Sequence, residues 1–145
     1  MIIELNYKLN YVPDTDEYND LILDSVGELF VRVGGRDFYH DDYALIFEIA
    51  VAISNWLALN KKKGNIDFHY ESLDQEEAPL LALNFERKTG LYKPVSYFQK
   101  FESKEGVELE NVKSAFQSFI DEVKKDFSDR NRLDLVRYLD DRINS

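Results

Sequence analysis

The feature that most constrains the fold is a long apolar run from Tyr43 to Leu59. Its apolar residues occupy nearly every side of a helix, which is typical of a helix covered by other elements on most of its surface. Asp41 and Asp42 precede the run and Lys61–Lys63 follow it, an order that suits the dipole of a helix. We predict a central helix that begins near Asp42, with that residue as N-cap, and ends near Leu59.

The same run is about one helical turn too short to cross a bilayer, and it contains the polar residues Glu48, Ser54 and Asn55. The N-terminal residues Met1–Tyr7 lack the basic start, the continuous apolar stretch and the small-residue cleavage site of a signal peptide. We therefore expect a cytoplasmic protein with no membrane partner.

Alternating apolar and polar residues predict strands on both sides of this helix. A polar loop is expected at 12–17 and an acidic turn at 73–78, whereas segment 18–24 fits either a short strand or a turn. Gly34 and Gly35 predict a tight hairpin turn. The predicted strands are 2–11, 28–33, 36–39, 65–72, 79–87 and 91–102.

Beyond Glu108 the apolar residues recur at steps of three and four, which predicts two C-terminal helices. The first runs to about Phe127, and Ser128 or Asp129 caps the second. The order of elements has no strand–helix–strand rhythm and therefore indicates an α+β fold with a mostly antiparallel sheet. We expect one domain over residues 1–145, with five to six strands packed against one central apolar helix and two C-terminal helices.

Composition limits the classes of function. The chain has 28 acidic and 18 basic residues and a formal charge of −10, which argues against nucleic acid or an anionic membrane as partner. It has no cysteine, which excludes disulfides, thiolate zinc sites and cysteine nucleophiles. Residues 1–60 hold eleven acidic and three basic side chains, a balance of −8, so most of the negative charge lies in the N-terminal part.

Acidic residues in this N-terminal part are interleaved with tyrosines. One interpretation is a solvated surface that maintains solubility. The other is a docking face for a basic protein, since carboxylates steer a cationic partner and tyrosines supply stiff contact area. The residues expected in such a docking face are Tyr11, Asp14, Asp16, Glu17, Tyr18, Asp20, Tyr39, Asp41, Asp42 and Tyr43.

The chain shows no catalytic or metal-binding motif. An acidic segment that starts at Asp14 lacks the glycine and glutamate of a calcium-binding loop. His40 and His69 each lie beside carboxylates, which could bind a metal or serve as acid and base. Asp41 and Asp42 already have capping roles in the predicted helix, however, and His69 lies on the polar face of its strand. We expect no catalytic residue, no metal and no cofactor.

Three segments resemble bacterial immunity proteins of the WapI type, which protect Gram-positive cells from wall-associated, contact-dependent toxins. The likeness covers about the first 60 residues. The segments are NYVPDTDEYND at 10–20, VGGRDFY at 33–39, and YALIFEIA at 43–50 leading to Trp56-Leu57.

This resemblance implies a cytoplasmic protein that binds and neutralises the C-terminal domain of a cognate toxin. In many such systems that domain is a nuclease, and a nuclease needs a basic cleft for phosphates. An acidic face can occupy that cleft in place of nucleic acid.

Two further functions stay open on sequence grounds. The chain could be a structural or adaptor domain, such as a homodimer that associates through a sheet edge or the phenylalanine-rich helix. It could also be a metal-dependent or acid–base enzyme, which requires His40 and His69 to meet in one pocket. The sequence leaves the oligomeric state open.

Overall fold

The structure is a computed structural model that describes residues 1–73 and 76–145. It confirms the α+β class. The elements in chain order are β1 (Ile3–Tyr11), α1 (Tyr18–Asp24), β2 (Val26–Val33), β3 (Arg36–Leu45), α2 (Ile46–Lys63), β4 (Phe68–Tyr70), β5 (Leu81–Glu86), β6 (Leu91–Val95), α3 (Leu109–Asp129) and α4 (Leu133–Ile143). Part of the acidic turn predicted at 73–78 lies outside the described residues.

The strands form two antiparallel sheets instead of one. The N-terminal sheet has the order β1-β2-β3, and the C-terminal sheet has the order β4-β5-β6. Gly34 and Gly35, with φ angles of 60° and 78°, form the predicted hairpin turn between β2 and β3. The chain passes from one sheet to the other through α2, which separates the two sets of strands in the sequence.

Helix α2 begins at Ile46, so the prediction that Asp42 caps it is wrong. Asp42 lies in β3, whose pairing with β2 continues through Val26–Leu45. The backbone N–H of Ile46 then donates to the carbonyl oxygen of Ser25 at 3.0 Å. Backbone hydrogen bonds to β2 thus keep β3 extended as far as Leu45. The helix starts at Ile46, where the pairing with β2 ends.

Two other local predictions are also wrong. Segment 18–24 is the short helix α1, which buries Leu21 and Ile22 and contacts α2. Because the two buried residues are adjacent in sequence and the segment is short, it shows no helical period, and the sequence predicts only a strand or a turn there. Asp129 is the last residue of α3, and α4 follows the cap position Arg132, so neither Ser128 nor Asp129 caps α4.

The hydrophobic core is built around α2, which contacts α1, α3 and α4 together with β2 and β4. Near the C-terminal end of α2, Trp56 meets the ring of Phe116 at 5.3 Å, and Phe116 also meets Phe68 of the C-terminal sheet at 4.8 Å. Near the N-terminal end, Phe47 contacts the rings of Phe127 and Tyr138. Among the described helices, none combines the length and apolar character that a membrane crossing requires.

Several acidic segments meet at one end of the N-terminal sheet. There β1 ends, β2 begins and β3 ends, because Tyr11 pairs with Val26 and Val26 pairs with Leu45. Loop 12–17 and α1 connect β1 to β2 at this same end. We call this region, from loop 12–17 and α1 to the last residues of β3, the acidic end.

Gly27 is required at this end of the sheet. A Cβ atom added to Gly27 would lie 2.0 Å from the carbonyl oxygen of Lys8 on β1. We expect Gly27→Ala to lower the free energy of unfolding by about 1–3 kcal/mol, because the strands must separate to admit the methyl group. Urea denaturation monitored by circular dichroism measures the effect.

Gly34→Asn is the matched control. Gly34 has a φ of 60°, a Cβ atom added there would lie 3.5 Å or more from its nearest neighbours in Met1, and asparagine is favoured at the first residue of such a turn. We expect it to change the free energy of unfolding by less than about 0.5 kcal/mol. Equal losses in the two variants would contradict a role for close packing at Gly27.

Candidate functional site

Most of the predicted docking residues lie at or near the acidic end, in two groups, whereas Tyr39 pairs with Val31 nearer the hairpin. The loop group comprises Asp14, Asp16, Glu17, Tyr18 and Asp20, from loop 12–17 and α1. The β3 group comprises Tyr39, Asp41, Asp42 and Tyr43. Tyr11, at the end of β1, is exposed.

Arg132, between α3 and α4, holds the backbone of the loop group. Its guanidinium donates to the carbonyl oxygens of Pro13 at 2.8 Å and Thr15 at 2.9 Å. It also forms a two-pronged contact with Asp134, with both N–O distances at 3.0 Å. The neighbouring Arg130 donates to the carbonyl oxygen of Leu9 at 3.2 Å. The loop therefore has a defined position although it has no regular secondary structure.

A cavity of about 520 Å³ opens beside this contact and is lined by Asp14, Asp16, Tyr18, Arg132 and Tyr138, among others. The hydrogen bond to Asp134, with smaller contributions from Asp14 and Asp16, raises the pKa of Arg132. The cavity is thus lined by carboxylates and aromatic side chains together with the guanidinium group of Arg132.

Tyr18 forms part of the aromatic wall of this cavity. Its ring lies 5.3 Å from that of Tyr138 and 6.2 Å from that of Phe47. Burial, followed by the hydrogen bond with Tyr138, raises the pKa of Tyr18 to about 12. Tyr18 is consequently both a core contact and a partly exposed surface residue.

The β3 group is ordered around Asp41. Its carboxylate accepts hydrogen bonds from the hydroxyl of Tyr39 at 3.1 Å and from the backbone N–H of Tyr43 at 2.9 Å. Tyr39 is only 3% exposed, whereas Tyr43 is 59% exposed. Tyr43 can therefore contact a partner directly, while Tyr39 supports the surface from beneath.

Two aromatic residues at this site were missed on sequence grounds. The predicted strand 91–102 would contain Tyr97 and Phe98, but that prediction is wrong beyond Val95, where β6 ends, and both rings are exposed. Phe98 stacks on Tyr39 at 6.4 Å and meets Tyr97 at 5.1 Å. Adjacent aromatic residues interrupt strand alternation, and this was the available signal.

Phe98 closes a second cavity, of about 310 Å³, against the β3 group. Leu80 also lines it, together with all four residues of the β3 group and His40. Its polar groups are two carboxylates, an imidazole and phenol hydroxyls, beside an apolar ring and an aliphatic side chain. Such a cavity suits a partner side chain that has an apolar stem and a cationic head.

A third cavity, of about 290 Å³, lies between α1, α2 and the residues that follow β4, and it shares Tyr18 with the first. Glu48 of α2 accepts hydrogen bonds there from the hydroxyl of Tyr70 at 2.7 Å and the backbone N–H of Leu73 at 3.2 Å. Burial, followed by the charge of Glu48, raises the pKa of Tyr70 well above its usual range.

The two histidines lie on different sheets and line different cavities. The Nε2 atom of His40 lies 3.4 Å from Glu28 and 3.2 Å from Asp42. The Nδ1 atom of His69 lies 3.6 Å from Glu71. This arrangement does not favour an enzyme whose two imidazoles act in one pocket.

The fold and this surface define a class: a small α+β protein whose N-terminal sheet ends in an acidic, aromatic surface with three shallow cavities. The chain belongs to the family described as domain of unknown function DUF7878, whose family model matches residues 3–129. Comparison with curated proteins and with solved structures finds no match. The matched range includes every predicted docking residue, whereas Arg132 and α4 lie beyond it.

The role of Arg132 can be tested with Arg132→Lys, which keeps the charge but cannot donate to two carbonyls and a carboxylate in the same geometry. We expect a loss of about 1–2 kcal/mol in the free energy of unfolding. Amide hydrogen exchange should become faster at Thr15 and Glu17.

Arg137→Lys on α4 is the control, since Arg137 is exposed and forms no ion pair within the described residues. It should leave both measurements unchanged. If Arg132→Lys also leaves the exchange of loop 12–17 unchanged, the loop does not depend on this side chain.

The raised pKa of Tyr18 predicts a dependence of stability on alkaline pH. Between about pH 10 and about pH 12, tyrosine in the unfolded chain loses its proton while Tyr18 in the folded chain keeps it. The unfolded state then binds fewer protons, so stability falls as pH rises across this range. Tyr18→Phe should make the fall shallower, as measured by urea denaturation at several pH values.

The remaining fall in that variant comes from Tyr7, Tyr70 and Tyr92, whose pKa values burial also raises. Tyr138→Phe should lower the pKa of Tyr18, which ultraviolet absorbance of tyrosinate reports. An identical fall in stability for the parent protein and Tyr18→Phe would refute the assignment.

Proposed function

We propose that this protein is an immunity protein, which binds and neutralises a basic toxin domain through its acidic end. One observation carries the proposal: the fold directs its nearby arginines to backbone carbonyls instead of to the carboxylates of the loop group. Arg130 and Arg132 donate to Leu9, Pro13 and Thr15, and within residues 1–73 and 76–145 the carboxylate that Arg132 contacts is that of Asp134.

The carboxylates of the loop group consequently keep their charge available. Within the described residues, Asp16, Glu17 and Asp20 form no ion pair. Unneutralised carboxylates that lie together attract a cationic surface and raise its rate of association. A nuclease domain offers such a surface, because its cleft must bind phosphates.

The β3 group supplies the second part of the proposed interface. Tyr43 and Phe98 are exposed aromatic side chains that line the same cavity as Asp41 and Asp42, and the exposed ring of Tyr97 contacts Phe98. Aromatic residues of this kind are enriched among the side chains that dominate binding energy, and their ring faces attract lysine and arginine. An interface of about 800 Å² on each partner would cover the loop group, the β3 group and the protein surface between them.

Co-expression tests the biological role. We expect this chain to restore growth to cells that express the toxic C-terminal domain of the large secreted protein encoded beside its gene. Failure of rescue despite soluble expression of both proteins would refute the immunity function. A gene neighbourhood without such a protein would count against it as well.

Binding kinetics test the acidic end itself. We expect the variant with Asp16→Lys, Glu17→Lys and Asp20→Lys to associate with that toxin domain roughly 10-fold more slowly or worse. The dependence of its association rate on salt should also become flatter, because fewer charge contacts steer the encounter. Stopped-flow fluorescence at several salt concentrations measures both quantities.

The control variant carries Glu105→Lys, Glu110→Lys and Asp121→Lys, which make the same change of charge elsewhere on the exposed surface. Glu105 and Glu110 lie near the start of α3, where Asn111 contacts Met1 at the opposite end of β1. We expect association within about twofold of the parent rate. Equal slowing in both variants would show that net charge, and not the acidic end, governs binding.

A further inference from the structure

The outer face of the N-terminal sheet brings together three possible metal ligands from two strands. Phe30 pairs with His40 across β2 and β3. Next to this pair, Leu29 pairs with Asp41 and Gly27 pairs with Ala44. The register therefore moves two residues along β2 and three along β3, so β3 contains one extra residue. Alternation along each strand puts Asp42 on the same face as His40, and Glu28 on the same face as Phe30. The bulge lies opposite Glu28, and the imidazole of His40 contacts both carboxylates.

We propose that Glu28, His40 and Asp42 form a binding site for a divalent transition-metal ion such as Zn²⁺. The Nε2 atom of His40 lies 3.4 Å from a carboxylate oxygen of Glu28 and 3.2 Å from one of Asp42. All three donor atoms lie within 4.8 Å of one another. Metal–ligand bonds of about 2.0–2.2 Å in tetrahedral geometry place neighbouring ligand atoms about 3.3–3.6 Å apart. The two distances to His40 are already close to this range, and the two carboxylates have to approach each other from at most 4.8 Å.

The hydrogen-bonding capacity of His40 supports a metal ion over a simple ion pair. Nε2 carries at most one proton, so it cannot donate a well-directed hydrogen bond to both carboxylates at once. An ion can contact all three atoms together. Phe30 stacks on the imidazole with a centroid distance of 4.5 Å and an interplanar angle of 11°, which limits rotation of the ring.

Competing cations are few at this position. Lys8 of β1 stands opposite Glu28 in the register, but within the described residues it forms no ion pair with Glu28 or Asp42. The two carboxylates together carry a charge of −2, which a divalent ion neutralises. Glu28 and His40 are partly exposed and Asp42 is exposed, so an ion can enter from solvent.

The set of ligands defines the class of metal. One imidazole nitrogen and two carboxylate oxygens suit Zn²⁺, Co²⁺, Ni²⁺ or Mn²⁺, whereas Ca²⁺ prefers oxygen ligands throughout. Three protein ligands leave at least one position for water. The sequence-based expectation of no metal considered His40 with Asp41 and Asp42, and Glu28 was absent from it because only the register of β2 and β3 reveals that neighbour.

The chain provides a matched control site. His69 has a single carboxylate neighbour, Glu71, at 3.6 Å, and it belongs to no cluster of three ligands in the described part of the chain. It therefore has the same residue types without the third donor.

Isothermal titration calorimetry with ZnCl₂ tests the proposal on the untagged full chain. We expect one ion per chain with a Kd tighter than about 0.1 mM. His40→Gln, Glu28→Gln and Asp42→Asn should each weaken binding roughly 10-fold or more, while His69→Gln leaves the Kd unchanged. Co²⁺ absorption should report the same stoichiometry and the same loss in His40→Gln.

Two results would overturn the proposal: no saturable binding of Zn²⁺, or loss of binding in His69→Gln with retention in His40→Gln. Circular dichroism of each variant verifies folding, which these surface substitutions should preserve. The zinc titration needs no toxin domain, so an absence of zinc binding would not contradict the proposed immunity function. A failure of rescue in the co-expression test would likewise not contradict the metal site.

Discussion

Helix α2 is covered by α1, α3 and α4 and touches strands of both sheets. Neither three-stranded sheet offers much stability alone, because each needs another layer over its apolar face. Each large apolar side chain that α2 buries contributes about 1.5–3 kcal/mol relative to exposure. Phe47 and Trp56, one near each end, connect the helix to aromatic residues of the surrounding elements. The two sheets form one core because α2 supplies the surface that both require.

The position of the acidic end follows from this arrangement. Helix α2 starts directly after β3, and its first turn carries Glu48. The partial positive charge of a helix N-terminus favours a carboxylate in the first turn. Asp41 and Asp42 lie five and four residues before Ile46 on an extended strand, beyond the reach of that effect, so the helix does not neutralise their charge.

Much of the fold could be predicted from local pattern, and the departures share a cause. The alternation in β1, the glycine pair of the hairpin and the helical period of α3 depend on neighbours in sequence, and all three predictions are confirmed. The start of α2 depends on how far β2 extends beside β3, and the residues around Asp42 give no indication of that length. The burial of Tyr39 under Phe98 likewise joins residues far apart in the chain. The sequence does not predict that Arg132 holds loop 12–17, because the acceptors are backbone carbonyls, which every residue has.

The family model ends at residue 129, yet α4 follows and packs against α2. Leu135 and Leu139 of α4 are buried in the same core as Phe47. A fragment trimmed to the matched range would uncover an apolar flank of the central helix and free the segment that follows β1. The shape of loop 12–17 therefore depends on residues that lie outside the range matched by the family model.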